Sequence, residues 1–321
     1  MAWIAETVLI LLALCGALAI FSGAAAWRIE RLAPPQGGFL DLDGERLHVL
    51  DRGHGPPVVL IHGLSGQMGN FTFSLIERLS GDFRVVAFDR PGSGYSARAR
   101  KTGAGMLIQA ATVAKAIRRL RLDQPVVVGH SLGGAVALEL ALDHPDCVGA
   151  LALIAPATHP VLKPPRVFRA LAIRSPWLRL LFAWTLATPG ALVARNLAMK
   201  EVFAPEAPPR DFAGAGGGLL GVRPANVENA SADMIALEAD LKDLPKRYPS
   251  IRAPIGVLFG RDDQVLDWRV HGEALKQEAP ALDFELIEGG HMLPVTQPDA
   301  CARFIRRMAA KARANATVHP R

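Results

Sequence analysis

Short apolar runs alternate with helix-like segments along most of this chain, and that alternation constrains the fold more than any other feature. Most of these runs are apolar throughout, which is typical of parallel strands covered by helices on both faces. The alternation therefore predicts an α/β fold with a mostly parallel eight-stranded sheet and helices on both of its faces. The eight strand-like runs are residues 39–42, 47–51, 58–61, 85–88, 126–129, 148–154, 255–259 and 283–287.

The alternation is interrupted between residues 157 and 245, where Pro, Ala, Leu, Arg and Gly predominate and no strand pattern is present. Thr188 is placed to cap the last helical pattern of this region, and Pro189 suits its first turn. We expect a helical cap inserted into the sheet. The predicted divisions are a linker at 33–38, a core at 39–156 and 246–315, and a cap at 157–245, with helical patterns at 167–173, 177–186 and 189–202.

Residues 7–27 form an uncharged apolar run, TVLILLALCGALAIFSGAAAW. As a helix it is long enough to cross the roughly 30 Å hydrocarbon core of a bilayer. A cleaved secretory signal is the alternative, but no Lys or Arg precedes the run and it is long for a signal. We therefore expect residues 1–32 to form a single-pass membrane anchor and its flank. Arg28 and Arg31 follow the run, which favours a cytoplasmic position for the rest of the chain.

Charge and cysteine content exclude several other classes of protein. The chain carries 36 Lys and Arg against 30 Asp and Glu, and half of its residues are hydrophobic, which excludes a disordered chain. The basic residues are scattered and not interleaved with aromatic ones, so we expect no nucleic-acid partner. Three cysteines are too few for a disulfide scaffold, and Cys147 and Cys301 are expected to be buried thiols.

A Gly-x-Ser-x-Gly turn around Ser131 joins the predicted strand 126–129 to the helix that follows. Such a turn strains the serine backbone and requires tiny residues two positions before and after it, here Gly129 and Gly133. The hydroxyl is then exposed at the carboxyl edge of the sheet, at a helix N-terminus. The pentapeptide alone is common by chance, with a structural serine as the alternative, but its strand–turn–helix context predicts a nucleophile.

A serine hydroxyl needs a base to take its proton. His291 follows a predicted strand and a glycine pair, so it is expected at the same sheet edge as Ser131, where ligands bind in open α/β sheets. His130 is too close to Ser131 along the backbone to act as its base. The remaining histidines have ordinary structural positions; His159 opens the cap, and His271 sits within a helical pattern.

The base in turn needs a carboxylate that fixes its tautomer. The strand 255–259 ends in Gly-Arg-Asp-Asp, and we predict Asp263 as the acid, with Asp262 as the alternative. Asp262 or Asp267 instead suits a cap for the following helix. The loop after the strand 148–154 contains no carboxylate, which removes the other obvious place for an acid.

Backbone donors for a developing oxyanion are expected from two places. The loop after the strand 58–61 is rich in small residues, and the amides of Leu64 and of Leu132, directly after the serine, are predicted to converge. We expect the loop and turn to be ordered by supporting residues that take no part in the chemistry. These are His62, Gly63, Gly129 and Gly133.

Five motifs, in order and at family spacing, resemble those of α/β-hydrolases of the serine-hydrolase branch over residues 39–310. The resemblance implies that fold, a Ser–Asp–His triad and no metal or organic cofactor. A serine nucleophile sets aside the family's dehalogenases and epoxide hydrolases, which attack with a carboxylate. The chain departs from the common family pattern at two positions. Proline is frequent at the position of Leu266, and an acidic residue often precedes the proline at the position of Gln297. The motifs are His62-Gly63, Asp89-Arg90-Pro91-Gly92-Ser93-Gly94-Tyr95-Ser96, Gly129-His130-Ser131-Leu132-Gly133-Gly134, Gly260-Arg261-Asp262-Asp263 and Gly289-Gly290-His291.

An N-terminal membrane helix joined to such a core is similar to membrane-anchored monoacylglycerol lipases and esterases. We therefore expect hydrolysis of lipid-like acyl esters through an acyl-enzyme. Carbon–carbon bond hydrolases of ring-fission products and cofactor-free haloperoxidases share the triad and stay as alternatives, with a non-catalytic binding protein as a third. An apolar cavity would indicate an acyl ester, and a polar or basic one an acidic ring-fission product. Four cap arginines suit either water or anionic lipid: Arg166, Arg169, Arg174 and Arg179.

Overall fold

A computed structural model of the chain describes residues 1–42, 44–99, 102–161 and 164–318. The strands are β1 Gly38–Leu42, β2 Glu45–Arg52, β3 Pro57–Ile61, β4 Arg84–Phe88, β5 Val126–His130, β6 Ala150–Ile154, β7 Ile255–Gly260 and β8 Asp283–Ile287. They form one sheet in the order β1-β2-β4-β3-β5-β6-β7-β8. Only β2 runs against its neighbours, and from β4 to β8 the pairing is parallel. The predicted mostly parallel eight-stranded sheet is confirmed.

The helices are α1 Ala2–Leu32, α2 Gly69–Thr72, α3 Leu75–Leu79, α4 Met106–Arg119, α5 Leu132–Asp143, α6 Pro176–Phe182, α7 Thr188–Phe203, α8 Pro224–Asp240, α9 Ala274–Glu278, α10 Leu293–Thr296 and α11 Pro298–Val318. Short 3₁₀ helices lie at Pro145–Cys147, Arg166–Leu171, Leu220–Val222 and Leu244–Ser250, and π-helical turns at Ala183–Ala187 and Arg269–Glu273.

Alternate residues of the central strands serve two separate hydrophobic layers. In β3, Val59 and Ile61 pack with α4 and α5, whereas Val58 and Leu60 pack with α3 and α11. β5 and β6 bury all of their residues. This two-sided burial explains why their sequences are apolar throughout rather than alternating.

The chain between β6 and β7, which we call the insertion, contains helices joined by loops and has no strand where the structure describes it. α6, the π-helical turn and α7 form one continuous helix, so the prediction that Thr188 caps a new helix is wrong. Thr188 instead donates from Oγ1 to the Val222 carbonyl at 2.8 Å. The pattern at 167–173 forms a 3₁₀ helix, and α8 was not predicted at all.

α1 packs against this insertion through its C-terminal half. Its buried residues are Ser22 and Ile29, and Glu30 forms an ion pair with Arg223 of the insertion at 2.6 Å. Just beyond α1, the Ala33 carbonyl accepts a hydrogen bond of 2.5 Å from the Tyr95 hydroxyl. The helix therefore joins both the insertion and the sheet domain.

Two of the described helices are long and apolar enough, by length and composition, to cross a membrane. They are Ala2–Leu32 and the continuous helix Pro176–Phe203, whose most apolar stretches are 6% and 22% buried. A signal sequence near an N-terminus passes the same test. Residues 1–32 thus keep both sequence interpretations, an anchor and a signal, and the second apolar helix adds a feature that was not predicted.

Candidate active site

The turn after β5 holds Ser131 in a backbone conformation that side chains rarely adopt. Its φ is 56° and its ψ is −123°. The Ser131 carbonyl accepts hydrogen bonds from Gly134 at 2.8 Å and from Ala157 at 2.9 Å, which hold the turn in place. Ser131 directly precedes α5, so its hydroxyl lies at the helix N-terminus, where negative charge is favoured.

Glycine is required where the turn meets neighbouring backbone. A Cβ on Gly133 would lie 2.1 Å from the Ile61 carbonyl oxygen, and one on Gly129 would lie 2.5 Å from the Gly133 carbonyl oxygen. A Cβ on Gly63 would lie 2.9 Å from the Ser131 Cβ. The loop after β3 and the turn after β5 are therefore closely packed against each other, and the supporting roles of these glycines stay a prediction.

The structure brings Asp263 and His291 together and leaves Asp262 apart. His291 Nδ1 lies 2.8 Å from Asp263 Oδ2, and both side chains are buried. Asp263 Oδ1 accepts hydrogen bonds from the backbone amides of Val265 and Leu266 at 2.8 and 2.9 Å. Proline at position 266 would have no N–H to donate, so the departure at Leu266 adds a bond that orients this carboxylate.

The two neighbouring aspartates, Asp262 and Asp267, lie in different surroundings. Asp262 is exposed. Asp267 Oδ1 accepts a hydrogen bond of 2.9 Å from the Arg269 amide, at the start of the π-helical turn. The capping role that the sequence left open between the two aspartates is therefore taken by Asp267.

His130 ties the loop of His291 to the serine turn. Its Nε2–H donates to the His291 carbonyl at 3.0 Å, and the two ring centroids are 4.9 Å apart. Burial lowers the pKa of His130 to about 3, which keeps the ring neutral. Within the described residues the Ser131 hydroxyl makes no hydrogen bond, and catalytic hydrogen bonds often tighten only when substrate binds.

The loop after β3 is ordered by two buried polar side chains. His62 Nδ1–H donates to the Gly63 carbonyl, and its Nε2 accepts from the Arg90 amide, both at 2.9 Å. Burial, reinforced by the Arg90 charge, holds the pKa of His62 well below its usual value. The Arg90 guanidinium also donates to the carbonyls of His62 and Gly63 at 3.0 Å.

This ordering leaves two backbone donors free beside Ser131. Within the described chain, neither the Leu64 amide nor the Leu132 amide donates a hydrogen bond. Leu64, Ser131 and Leu132 line the same cavity. These amides have the chemistry that a developing oxyanion needs.

The loop is connected to the insertion by a buried ionic cluster. Arg90 Nη1 lies 2.7 Å from Asp233 of α8, and Arg98 Nη2 pairs with the other oxygen of the same carboxylate. The side chains of Arg90 and Asp233 are 0% and 1% exposed. Burial lowers the pKa of Arg90, and Asp233 opposes that effect. Because a buried charge is costly without its partner, this pair fixes α8 against the sheet.

A cavity of about 290 Å³ lies between Ser131 and the insertion. Most of the described lining is apolar, and the Lys, Arg, Asp and Glu residues among it, Arg174 and Glu238, pair with each other at 2.8 Å and are largely exposed. The cavity is lined by Leu64, Ser131, Leu132, Ala157, His159, Pro160, Val161, Pro164, Pro165, Phe168, Ala172, Arg174, Met234, Leu237, Glu238, Leu241, Val265, Leu266 and His271.

The α/β hydrolase fold family model matches residues 56–298. The chain belongs to the α/β-hydrolase family. This confirms the family that the five sequence motifs indicated and the fold they implied.

Individual relatives of this α/β-hydrolase include esterases. This chain is 28% identical over 271 residues to a pimeloyl-(acyl-carrier protein) methyl ester esterase of Vibrio vulnificus, and the match covers 83% of this chain and 98% of that protein. A dihydrolipoyllysine-residue acetyltransferase component of an acetoin cleaving system from Cupriavidus necator is 40% identical over 119 residues, covering 37% of this chain but only 31% of that protein. The chain thus spans about a third of that relative's length.

Among solved structures, a membrane phospholipase A described as a bacterial virulence factor has a similar fold. The TM-score is 0.64 at 22% sequence identity, and the match covers 98% of this chain and 99% of that one. At this identity the likeness concerns the fold.

Several residues at the hydrolase cavity were missed by sequence reasoning. Met234 and Leu237 come from α8, whose signal was present: Pro224 in the first turn, then buried Val227 and Ala230 three residues apart. The sequence indicates only structural positions for His159 and His271, yet both line the cavity. Nothing local to either histidine indicates that position.

The cysteines and the possible metal ligands add no further candidate site among the described residues. Cys147 and Cys301 are buried free thiols, as predicted, and Cys15 is a partly buried free thiol in α1. Within the part of the chain that the structure describes, no group of three or more His, Cys, Asp and Glu residues is arranged to hold a metal ion.

Proposed function

We propose that this hydrolase cleaves carboxylic esters of lipid-like acyl chains, such as monoacylglycerols, with Ser131 as nucleophile, His291 as base and Asp263 as the acid that orients it. The observation that carries the proposal is the contact of His291 with Asp263 at 2.8 Å beside a cavity that Ser131 lines. Esterase relatives of similar length support the ester chemistry.

The proposed mechanism is acyl transfer through a covalent intermediate. His291 takes the proton of Ser131, whose oxygen attacks the ester carbonyl, while the amides of Leu64 and Leu132 stabilise the oxyanion. The tetrahedral intermediate collapses as His291 protonates the departing alcohol. His291 then removes a proton from water, which attacks the acyl-enzyme, and the acid is released with Ser131 restored. Asp263 stabilises the imidazolium in both halves.

The lining of the cavity supports an acyl ester over an acidic ring-fission product. Binding an anionic product of that kind calls for an unpaired basic group, whereas Arg174, the one Lys or Arg side chain in the described lining, is paired with Glu238. Arg179, one of the four cap arginines, turns inward to donate to the Ile173 carbonyl at 3.0 Å. An acyl chain fits a lining made mostly of Leu, Val, Pro, Ala, Met and Phe side chains.

We further propose that α1 is a single-pass anchor and that the helix Pro176–Phe203 rests on the same membrane, with the sheet domain on the cytoplasmic face. α1 packs against the π-helical turn of that helix, so the two apolar surfaces are continuous. Large apolar side chains project from the second helix into solvent. They are Trp177, Leu178, Leu180, Leu181, Trp184, Leu186, Val193 and Leu197. The membrane phospholipase A of similar fold supports this placement.

The test of the nucleophile is covalent labelling with a fluorophosphonate probe. We expect the wild type to be labelled and Ser131→Ala to be unlabelled at equal folding by circular dichroism. A wild type that is not labelled, or a variant labelled as strongly as the wild type, would refute the assignment. Hydrolysis of p-nitrophenyl esters of increasing chain length then measures the acyl preference.

The membrane placement is tested with vesicles of anionic lipid. We expect Leu178→Asp combined with Leu181→Asp to lower activity on lipid in vesicles while activity on a soluble short-chain ester is kept. Equal loss on both substrates would contradict the placement. Reporter fusions at the C-terminus report on which side of the membrane the sheet domain lies.

A further inference from the structure

His271 has one ring nitrogen committed to the protein backbone. Its Nδ1 accepts hydrogen bonds from the amides of Thr158 at 3.1 Å and His159 at 3.3 Å. The Thr158 hydroxyl donates to the His271 carbonyl at 2.7 Å. Because Nδ1 receives two N–H groups, it carries no proton, and the neutral ring has its proton on Nε2.

That Nε2–H group is buried and has no acceptor among the described residues. The side chain belongs to a residue that is 1% exposed and lines the cavity that Ser131 lines. Burial lowers the pKa of His271 to about 4, so the ring stays neutral at physiological pH. Buried donors in native proteins almost always have a partner, so an unpaired one at a ligand cavity calls for an explanation.

The other histidines near this cavity are already engaged. His159 has Nδ1 2.8 Å from the Thr158 hydroxyl and Nε2 3.3 Å from Glu278. His291 Nδ1 is held by Asp263, and its other nitrogen is the one the mechanism uses. His271 is therefore a donor for which the proposed chemistry has no role.

We propose that His271 Nε2–H donates a hydrogen bond to a substrate oxygen other than the scissile carbonyl, so that the preferred substrate is an ester with a second oxygen acceptor. A free hydroxyl of a glyceryl ester and a hydroxyl on the acyl chain both have this chemistry. The inference rests on the proposed ester hydrolysis and narrows its substrate class. A site built around such a donor rejects an analogue that lacks the acceptor, because the donor is then left unpaired.

Two substitutions separate the donor from the backbone anchor. His271→Asn places an amide oxygen close to the position of Nδ1, so it keeps an acceptor for Thr158 and His159 and removes the Nε2–H group. His271→Gln reaches the position of Nε2 with an amide N–H and removes the anchor. His144→Asn, in a residue that does not line the cavity, is the matched control for the substitution itself.

The readout is the ratio of kcat/KM for two esters of equal size that differ by oxygen atoms. One pair is glyceryl and propyl octanoate, and the other is a hydroxylated and an unsubstituted acyl ester of one alcohol. We expect the wild type to favour the oxygenated member of at least one pair and His271→Asn to reduce that ratio by about tenfold to hundredfold. His271→Gln and His144→Asn should keep the ratio, with a lower melting temperature for the Gln variant.

The outcomes distinguish failure of the His271 proposal from failure of the proposed ester hydrolysis. A wild type without preference in either pair, or a His271→Asn variant that retains the preference, overturns the role of His271 while ester hydrolysis stands. If His271→Asn lowers kcat/KM for both esters of a pair by the same factor, His271 is purely structural, and its proposed role is also overturned. A wild type that hydrolyses none of the four esters and is not labelled by fluorophosphonate refutes the proposed function itself.

Discussion

The carboxyl edge of the sheet and the helical insertion over it are built by different kinds of contact. At the sheet edge, backbone meets backbone: a Cβ on Gly133 would lie 2.1 Å from a carbonyl oxygen. In the insertion, a Cβ on Gly190 of α7 would have no neighbour within 4 Å, and Val193 is 88% exposed. The edge holds the proposed reacting groups in a narrow geometry, whereas this stretch of α7 is open and has room to vary.

Several polar contacts join the two regions, and two of them reach the loops beside Ser131 and His291. Asp233 of α8 pairs with Arg90, which also holds the loop that carries Leu64. Glu206 of the insertion accepts a hydrogen bond of 3.0 Å from the Gly290 amide, next to His291. The insertion is therefore connected to the two loops on which the proposed chemistry depends.

The largest effect is expected at the sheet edge, from the acid. Asp263→Asn should lower kcat on the order of 10⁴-fold, because the amide no longer fixes the tautomer of His291 or stabilises its positive charge. Asp262→Asn, in the exposed neighbour, is the control and should change kcat by less than about threefold. Steady-state kinetics on one soluble ester measure both, and equal losses would move the acid away from Asp263.

The next effect concerns the joint between the two regions. Asp233→Asn should lower the free energy of unfolding by about 3–5 kcal/mol, because it leaves Arg90 buried without its counter-ion. Glu238→Gln breaks the exposed pair with Arg174 and should change it by no more than about 0.5 kcal/mol. Urea denaturation measures both values. Similar small losses would show that the buried cluster does not fasten α8 to the sheet.

Paired glycine substitutions compare the packing of the two regions directly. Gly133→Ala should destabilise the protein by about 3 kcal/mol, since its Cβ meets the rigid backbone of β3. Gly190→Ala lies in an open position of a helix and should stabilise it by about 0.5–1 kcal/mol. Thermal melting curves suffice, and a Gly133→Ala variant as stable as the wild type would contradict the close approach.

A pH dependence of stability is expected from His271, which lies between the regions, and it is small over any one pH unit. Its pKa falls from 6.5 to about 4 on folding, so between these pH values the unfolded chain binds the extra proton. Burial is the main cause of the lowered pKa, the neighbouring His159 and His291 also favour the neutral ring, and Asp263 opposes them. The stabilisation is complete above pH 6.5 and is lost as pH falls, by about 1.4 kcal/mol per pH unit. His271→Asn should remove that pH dependence. The free energy of unfolding of both proteins is measured from pH 7 to 4, and parallel plots against pH would refute the prediction.

The sheet and its edge were predictable because their signals are local. Each of the five motifs lies at the end of one strand or next to it, and parallel strands bring their carboxyl ends to one edge. Errors were confined to boundaries: β6 begins at Ala150 and not at 148, because the Val148 amide donates to Pro145 in a 3₁₀ turn. Asp263 and Asp262 are adjacent along the chain, so the sequence predicts Asp263 with Asp262 as the alternative, and the contact of Asp263 with His291 is long-range information that no local pattern carries.

The insertion was less predictable because its contacts are long-range. The side chain of His271 is fixed by residues 112 and 113 positions away, and no local pattern carries that information. Thr188 has the composition of a helix cap, yet the π-helical turn before it continues the helix and its hydroxyl bonds Val222 instead. Local propensity was overridden there by packing against α1 and α8.

The ion pair between Glu30 and Arg223 and the hydrogen bond from Tyr95 to Ala33 have a consequence for how this enzyme meets its substrate. An enzyme on a loose tether tumbles, and its entrance faces the bilayer for a small part of the time. Here the α1 terminus is clamped at two points, to the insertion and to the sheet domain. With α1 in a bilayer, the tilt of one helix sets the direction of the cavity, and the search for substrate becomes lateral diffusion in a plane.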